Sequence, residues 1–221
     1  MALIPEFSKI DHTNWERKDY FDYYYYKIKT KYTLNANIEI TDLLNIKNEK
    51  RLKFFPVFLF AILKAVNQNK EFRMSFDKDG NLGYWNFVLP SYTIFHNDDK
   101  TFSDIWSDYS GEFTEFYNTV TGDIIKYKNV KGIIARPDRP ANYCHVSALP
   151  WLSFSGYSHD TFSESSLLFP LIRFGKYFYE NNKVLIPFAV FVNHAVADGY
   201  HTSKLINDIQ DIVTSAEKWL K

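Results

Sequence analysis

The chain has 221 residues, 46% of them apolar, with 26 basic side chains balanced by 26 acidic ones. That length supports one sizeable core and a single domain over 1–221. The zero formal charge excludes partners held by bulk charge, so neither nucleic acid nor an anionic membrane surface is expected. No run of 18 apolar residues occurs, so no membrane-spanning helix is predicted, and the start Met1–Glu6 lacks the basic stretch of a secretory signal. Cys144 stands alone, which rules out an internal disulfide and fits a reducing cytoplasm. The aromatic share is 19%, more than a core of this size needs, and suggests apolar pockets or a subunit interface.

Near the start, Tyr23–Tyr26 is a four-residue tyrosine run, to be read as core or interface unless something else claims it. Tyr32, Leu34, Ala36, Ile38 and Ile40 alternate with polar residues and predict a half-buried strand. From Phe54 to Val66 the chain is apolar on nearly every side, with Pro56 in what would be the first turn, so a buried helix ending near Asn67 follows. Asp77–Asn81 reads as a turn between strands. Ile94–Phe95 and Thr101–Ser103 flank a polar tip, and 108–128 carries a helical stripe of Phe113, Phe116, Tyr117 and Val120. Two apolar runs, 167–179 and 184–193, are spaced as a hairpin around Glu180–Lys183. The last segment places Leu205, Ile206, Ile209, Ile212, Val213, Ala216, Trp219 and Leu220 on one helical stripe. Strands and helices mix throughout, which predicts an α/β or α+β domain.

Chemistry concentrates in Asn193-His194-Ala195-Val196-Ala197-Asp198-Gly199-Tyr200-His201, which follows the apolar run 184–192. A histidine is delivered at the end of a buried strand, with an aspartate four residues on and a glycine to turn the chain. Imidazole takes and returns a proton near neutral pH, so His194 is a candidate general base. A metal set of His194, Asp198 and His201 needs a continuous helix through Gly199 and further acidic ligands that the sequence does not supply, so no metal is expected. Ser147 alone is an ordinary strand or loop hydroxyl.

The chain resembles the chloramphenicol acetyltransferases. The resemblance runs through Trp15-Glu16-Arg17-Lys18 near the start, Pro90–His96, Thr101-Phe102-Ser103, Val146-Ser147-Ala148-Leu149-Pro150-Trp151, Gly175-Lys176-Tyr177 and the 193–201 motif, in order along essentially the whole sequence. It implies a two-layer α/β sandwich with a mixed β-sheet, the CoA-dependent acyltransferase fold, assembled as a homotrimer with active sites at subunit boundaries. It also implies acetyl-CoA as co-substrate, no bound cofactor, and a small acceptor bearing a hydroxyl, chloramphenicol first. Carried over position by position, His194 is the base and Ser147 donates to the oxyanion. Asp198 pairs with Arg17, and with Asn193 these hold the catalytic loop, so losing Asp198 or Arg17 is expected to be similarly damaging. Phe21, Tyr23, Tyr24, Phe102, Ser103, His145 and Arg173 line the acceptor pocket, and Lys53, Lys176 and Tyr177 meet CoA.

Three positions depart from the family pattern: Asn193 replaces a histidine, His145 an asparagine and Arg173 a threonine. A guanidinium there is large, permanently charged and able to bind a carboxylate or phosphate. The departures keep two alternatives open: an acetyltransferase for a different hydroxyl acceptor, or a non-catalytic small-molecule binder on this scaffold. The acyltransferases of 2-oxoacid dehydrogenase complexes share the His-x-x-x-Asp-Gly pattern but are expected to carry lipoyl and linker segments not seen here.

Overall fold

The computed structural model describes residues 3–161 and 165–220. Three short strands, β1 (Phe7–Lys9), β3 (Met74–Phe76) and β4 (Leu82–Trp85), form a small antiparallel sheet in the order β1-β4-β3. The main sheet joins β2 (Lys31–Glu39), β10 (Lys183–Asn193), β8 (Leu171–Gly175), β7 (Tyr143–Leu149), β5 (Leu89–Phe95) and β6 (Phe102–Trp106) in that order, with β9 (Phe178–Glu180) also on β10. β5, β7 and β8 run parallel to one another while β10 runs antiparallel to β2 and β8, so the sheet is mixed.

The helices are α1 (Lys18–Asp22), α2 (Thr41–Glu49), α3 (Phe54–Gln68), α4 (Phe113–Tyr127), α5 (Gly199–Thr214) and α6 (Ala216–Trp219). α3 is the centre of the core: ten of its residues, from Pro56 to Val66, are buried. Pro56 sits in the first turn, where its missing N–H has no helical partner to lose. Phe58 packs edge-on against Phe174 and Phe188 of the sheet, and Phe60 meets Phe113, Phe116 and Trp219 on its other side. α4 begins at Phe113 rather than at 108, because Ser110 ties the chain into a turn: its Oγ accepts from Glu112 N and donates to Glu115 Oε2.

The hairpin over 167–193 is broken into two short strands on one long one. Asn181 and Asn182 both have positive φ, 50° and 61°, the two-residue turn that matches strand twist and that asparagine tolerates. Alternation then splits the residues of the main sheet between two faces. Cys144, Val146, Ile172, Phe174, Phe188 and Val190 point into the helical core. Thr93, Asp104, His145, Ser147, Arg173 and Phe191 point to the opposite face, most of them half-buried. No helix is long and apolar enough to cross a membrane among the described residues.

Candidate active site

His194 lies just past the end of β10, in a turn held by its neighbour. Asn193 Oδ1 accepts from Ala195 N at 3.1 Å, its Nδ2 donates to Leu167 O at 3.2 Å, and its backbone carbonyl accepts from Val196 N. An asparagine here thus spends both ends of its amide on the loop. The His194 ring is clamped by aromatics: Tyr24 stacks on it face to face at 3.8 Å and 8°, and Tyr32 meets it edge-on at 5.1 Å. Tyr24 comes from a π-helical turn, Tyr23–Ile28, that continues α1, and the Tyr23 ring packs edge-on against Tyr24. Tyr32 is fixed through its hydroxyl, 2.6 Å from Thr202 Oγ1. A cleft of about 280 Å³ opens beside this loop, lined by Tyr24, Tyr25, Tyr26, Lys29, Lys31, Ser165 and Asn193.

Asp198 does not orient the imidazole. It is the N-cap of α5: Oδ1 accepts from Tyr200 N at 3.0 Å and His201 N at 3.4 Å and lies 2.8 Å from His201 Nδ1, while Oδ2 accepts from Arg17 Nη1 at 3.2 Å. His201 Nδ1 is also 3.4 Å from Asp198 N, but one nitrogen cannot donate and accept at once; the shorter contact, to a carboxylate, puts the proton on Nδ1. Burial opposes ionisation of Asp198. The hydrogen bond and charge of His201 and the Arg17 hydrogen bond outweigh it, so the carboxyl titrates below its ordinary value. His194 Nδ1 itself is buried with no hydrogen-bond partner among the described residues. This is therefore not a Ser-His-Asp relay. No group of three or more metal-ligating side chains occurs among the described residues.

Ser147 lies on the other side of the sheet's layout. Its Oγ is 3.0 Å from Thr93 Oγ1 on β5, and its register partner on β8 is Arg173. His145, two residues earlier on the same face, has Nδ1 3.4 Å from Ser91 Oγ. Burial, then the charges of Arg173, Arg139 and His159, push the His145 imidazole down to about 3, so it is neutral at physiological pH. Phe102 pairs in register with Phe95, which carries Trp151 against its ring at 4.6 Å. At the same end of the sheet Lys176 follows β8, and the Tyr177 ring packs on Phe54, the residue after Lys53.

The site residues thus fall into two groups. His194, Asn193, Tyr23, Tyr24, Arg17 and Asp198 gather at the C-terminal end of β10. Phe102, Lys53, Lys176 and Tyr177 gather toward the C-terminal ends of β7 and β8, which run the opposite way, with Ser147 and Arg173 at mid-strand and His145 two residues back from Ser147. Ser147 is level with Arg173 and Arg173 with Ala189, five residues before His194. At standard sheet dimensions that puts the base about 19 Å from the serine of its own chain.

Two expectations are corrected. Phe21 is fully buried and stacked on Tyr25, so it builds the floor under the tyrosine run and offers no surface to an acceptor. Ser103 is likewise buried, pointing to the core side with its Oγ 2.8 Å from His96 Nε2 and bonded to Val130 O. The sequence reading missed Tyr32 and Thr93, which hold His194 and Ser147. The alternation that placed Tyr32 in a strand was the only signal for it, and Thr93 was marked only as part of the Pro90–His96 block that carries the resemblance.

The fold is that of the CoA-dependent acyltransferases. Over 86% of this chain it matches the cubic core of the pyruvate dehydrogenase multienzyme complex, covering 84% of that chain, with a TM-score of 0.67 at 13% identity. A solved chloramphenicol acetyltransferase superposes at a TM-score of 0.83 with 23% identity, covering 94% of this chain and all of that one. The sequence profile of the chloramphenicol acetyltransferase family matches residues 5–210. The chloramphenicol acetyltransferase of Clostridium butyricum is 43% identical over 97% of this chain and 98% of its own, and that of Staphylococcus aureus 36% over 97% and 99%. The chain belongs to the chloramphenicol acetyltransferase family and is an acyltransferase.

Proposed function

We propose that the whole chain serves as one catalytic domain that transfers acetyl from acetyl-CoA to a hydroxyl of chloramphenicol, in a cytoplasmic homotrimer whose sites form between subunits. The observation that carries this reading is the pair of half-sites about 19 Å apart on one chain, in a family of acetyltransferases. A base and an oxyanion donor must both lie within about 3 Å of the reacting atoms. A second copy, packed against the first, supplies the half that each lacks.

In that assembly His194 Nε2 takes the proton of the acceptor hydroxyl as its oxygen attacks the thioester carbonyl. Clamping by Tyr24 and Tyr32 fixes the ring's direction without an aspartate. The tetrahedral oxyanion accepts from Ser147 Oγ, while Thr93 Oγ1 donates to Ser147 and so leaves the serine proton free for it. Collapse expels the CoA thiolate, which recovers the proton from His194, and no acyl-enzyme forms. Lys53 and Lys176 offer charge to the CoA phosphates and Tyr177 a ring face to its base. Acetylation of the antibiotic would confer resistance on a host expressing the chain. The deciding assay is acetyl-CoA-dependent thiol release with chloramphenicol, wild type against His194→Gln. Turnover lost by a factor of roughly 10⁴ or more in the folded variant is expected; undiminished turnover in the variant would remove His194 from the chemistry.

A further inference from the structure

Beside Ser147 the sheet carries a cation with no carboxylate at ion-pair distance among the described residues. Arg173 is half-buried on the same face as Ser147, on the adjacent parallel strand and in register with it. Adjacent strands lie about 4.8 Å apart, so the guanidinium and the serine hydroxyl share one surface. A guanidinium has five N–H donors. The one hydrogen bond Arg173 makes among the described residues runs from Nη1 to Ile172 O at 2.8 Å, and no carboxylate there lies within ion-pair distance. Asp104, on the same face, feels the charge of Arg173 and has its Oδ2 3.8 Å from Arg139 Nη1. Arg139 also donates to Ser91 Oγ and lies over the Tyr143 ring. Asp104 is thus set against two arginines, while Asp160 acts on His159 beside them. The histidines add no charge of their own: burial, then the charge of Arg173, lowers both His145 and His159, with Asp160 opposing the shift at His159.

The loop after β7 closes over this place. Leu152 O accepts from Lys176 N at 2.9 Å, and His159 lies edge-on to Phe191, the residue two beyond Arg173's partner Ala189. An unspent guanidinium next to an oxyanion donor, under a loop and amid neutral imidazoles, is built to receive a negative group brought by a ligand. Building on the acetyl-transfer reading, we propose that Arg173 is the acceptor-selecting residue of the Ser147 half-site. It favours hydroxyl compounds that carry a carboxylate or similar anion.

The test uses the assembled protein and two matched pairs of chloramphenicol analogues. In one pair the para-nitro group is replaced by a carboxylate or by its carboxamide; in the other, the dichloroacetyl group is replaced by malonyl or by malonamyl. Each pair differs in charge and hardly in shape. Affinity is measured by calorimetry without acetyl-CoA, and kcat/KM by thiol release. The wild type is expected to prefer the carboxylate of at least one pair by about 10-fold or more, the scale of one charge-assisted hydrogen bond. Arg173→Gln should erase that preference and Arg173→Lys keep part of it, with the carboxamides nearly unaffected. Equal affinities within both pairs, or a preference that survives Arg173→Gln, overturns the proposal. So does dissociation of the assembly in Arg173→Gln, which would assign the guanidinium to a subunit contact. Absence of thiol release with every acceptor, chloramphenicol included, would sink the acetyl-transfer reading instead, and the affinity ratios would still decide this one.

Discussion

Truncating Asp198 tests whether the loop carrying His194 is held from its far end. Asp198→Ala removes four contacts at once: two backbone N–H bonds of the α5 cap, the His201 side chain and the Arg17 guanidinium. The cap accounts for about 1 kcal/mol. Each charged contact, discounted because a third of the Asp198 side chain is exposed, adds about 0.5–1 kcal/mol. The loss should therefore be about 2–3 kcal/mol, measured as a shift in urea midpoint at fixed protomer concentration. Arg17→Val removes one of the four contacts and also relieves a cost, because Arg17 Nε is buried without a hydrogen-bond partner among the described residues; it should lose less than about 1 kcal/mol. The resemblance implies equal damage and these contacts an asymmetry, and the two variants decide between them. In the double variant the Arg17 loss should vanish into the Asp198 loss, a shortfall from additivity of about 0.5–1 kcal/mol. Strict additivity, or an Arg17 effect larger than the Asp198 effect, would refute the reasoning. The acid limb gives a second reading. Asp198 titrates lower folded than unfolded, so its contribution is whole above about pH 4 and drains as the pH falls through the folded value. Asp198→Asn, which keeps the cap oxygen, should flatten that limb.

Mixing copies provides a direct test of the shared site: inactive His194→Gln and inactive Ser147→Ala chains, denatured and refolded together, should regain part of the wild-type activity. Continued inactivity in a mixed assembly confirmed by mass would argue for a site within one chain. Ser147→Ala alone should lower kcat by about 10²–10³ with KM for acetyl-CoA little changed, the loss of one oxyanion donor; a loss confined to KM would make Ser147 a binding residue. The His145 imidazole should show no NMR titration between pH 8 and 5. The unfolded chain takes up that proton near pH 6.5 and the folded chain does not, so this residue's contribution to stability falls as the pH drops from 6.5 toward 3. Arg173→Gln should raise its pKa; titration near 6.5 in the wild type would remove the burial argument. Gly175→Ala should destabilise by about 1–3 kcal/mol, since a Cβ there would lie 2.7 Å from Leu152 O and 3.0 Å from the Phe154 ring; an unchanged denaturation midpoint would show that the loop after β7 yields freely.

Periodicity carried the elements well where one rule dominated. The apolar run 54–66 could only be a central helix, and the stripe from Leu205 to Val213 only an amphipathic one. It failed at ends governed by single side chains. Ser110 delays α4 to Phe113, and the hairpin over 167–193 breaks at Lys176 because two strands share one long partner. Phe21 and Ser103 show a different limit. Phe21 stands three residues before Tyr24, which stacks on His194, and Ser103 next to the exposed Phe102, and a run of aromatics or a Thr-Phe-Ser string does not say which member faces inward. Backbone geometry decides it: the π-helical turn swings Tyr24 over His194, and strand alternation sends Phe102 out and Ser103 in.

The deeper limit lies in strand direction. His194 and Ser147 are 47 positions apart in the sequence, and both follow or sit near the end of an apolar strand, so a linear reading places them at one centre. The sheet denies that to a single chain, because β10 runs against β7 and β8, and two strands that run opposite ways present their C-terminal ends at opposite edges. On the proposed reading each end would carry half of an acyl-transfer apparatus: His194 as a clamped base without an oxyanion donor, and Ser147 as a donor with CoA-side residues but no base. An arrangement that places each half where its own chain cannot use it makes sense when copies meet edge to edge. Activity would then depend on assembly itself, and a residue such as Arg173, on the face beside the donor, would select the acceptor for a base that a neighbouring copy provides.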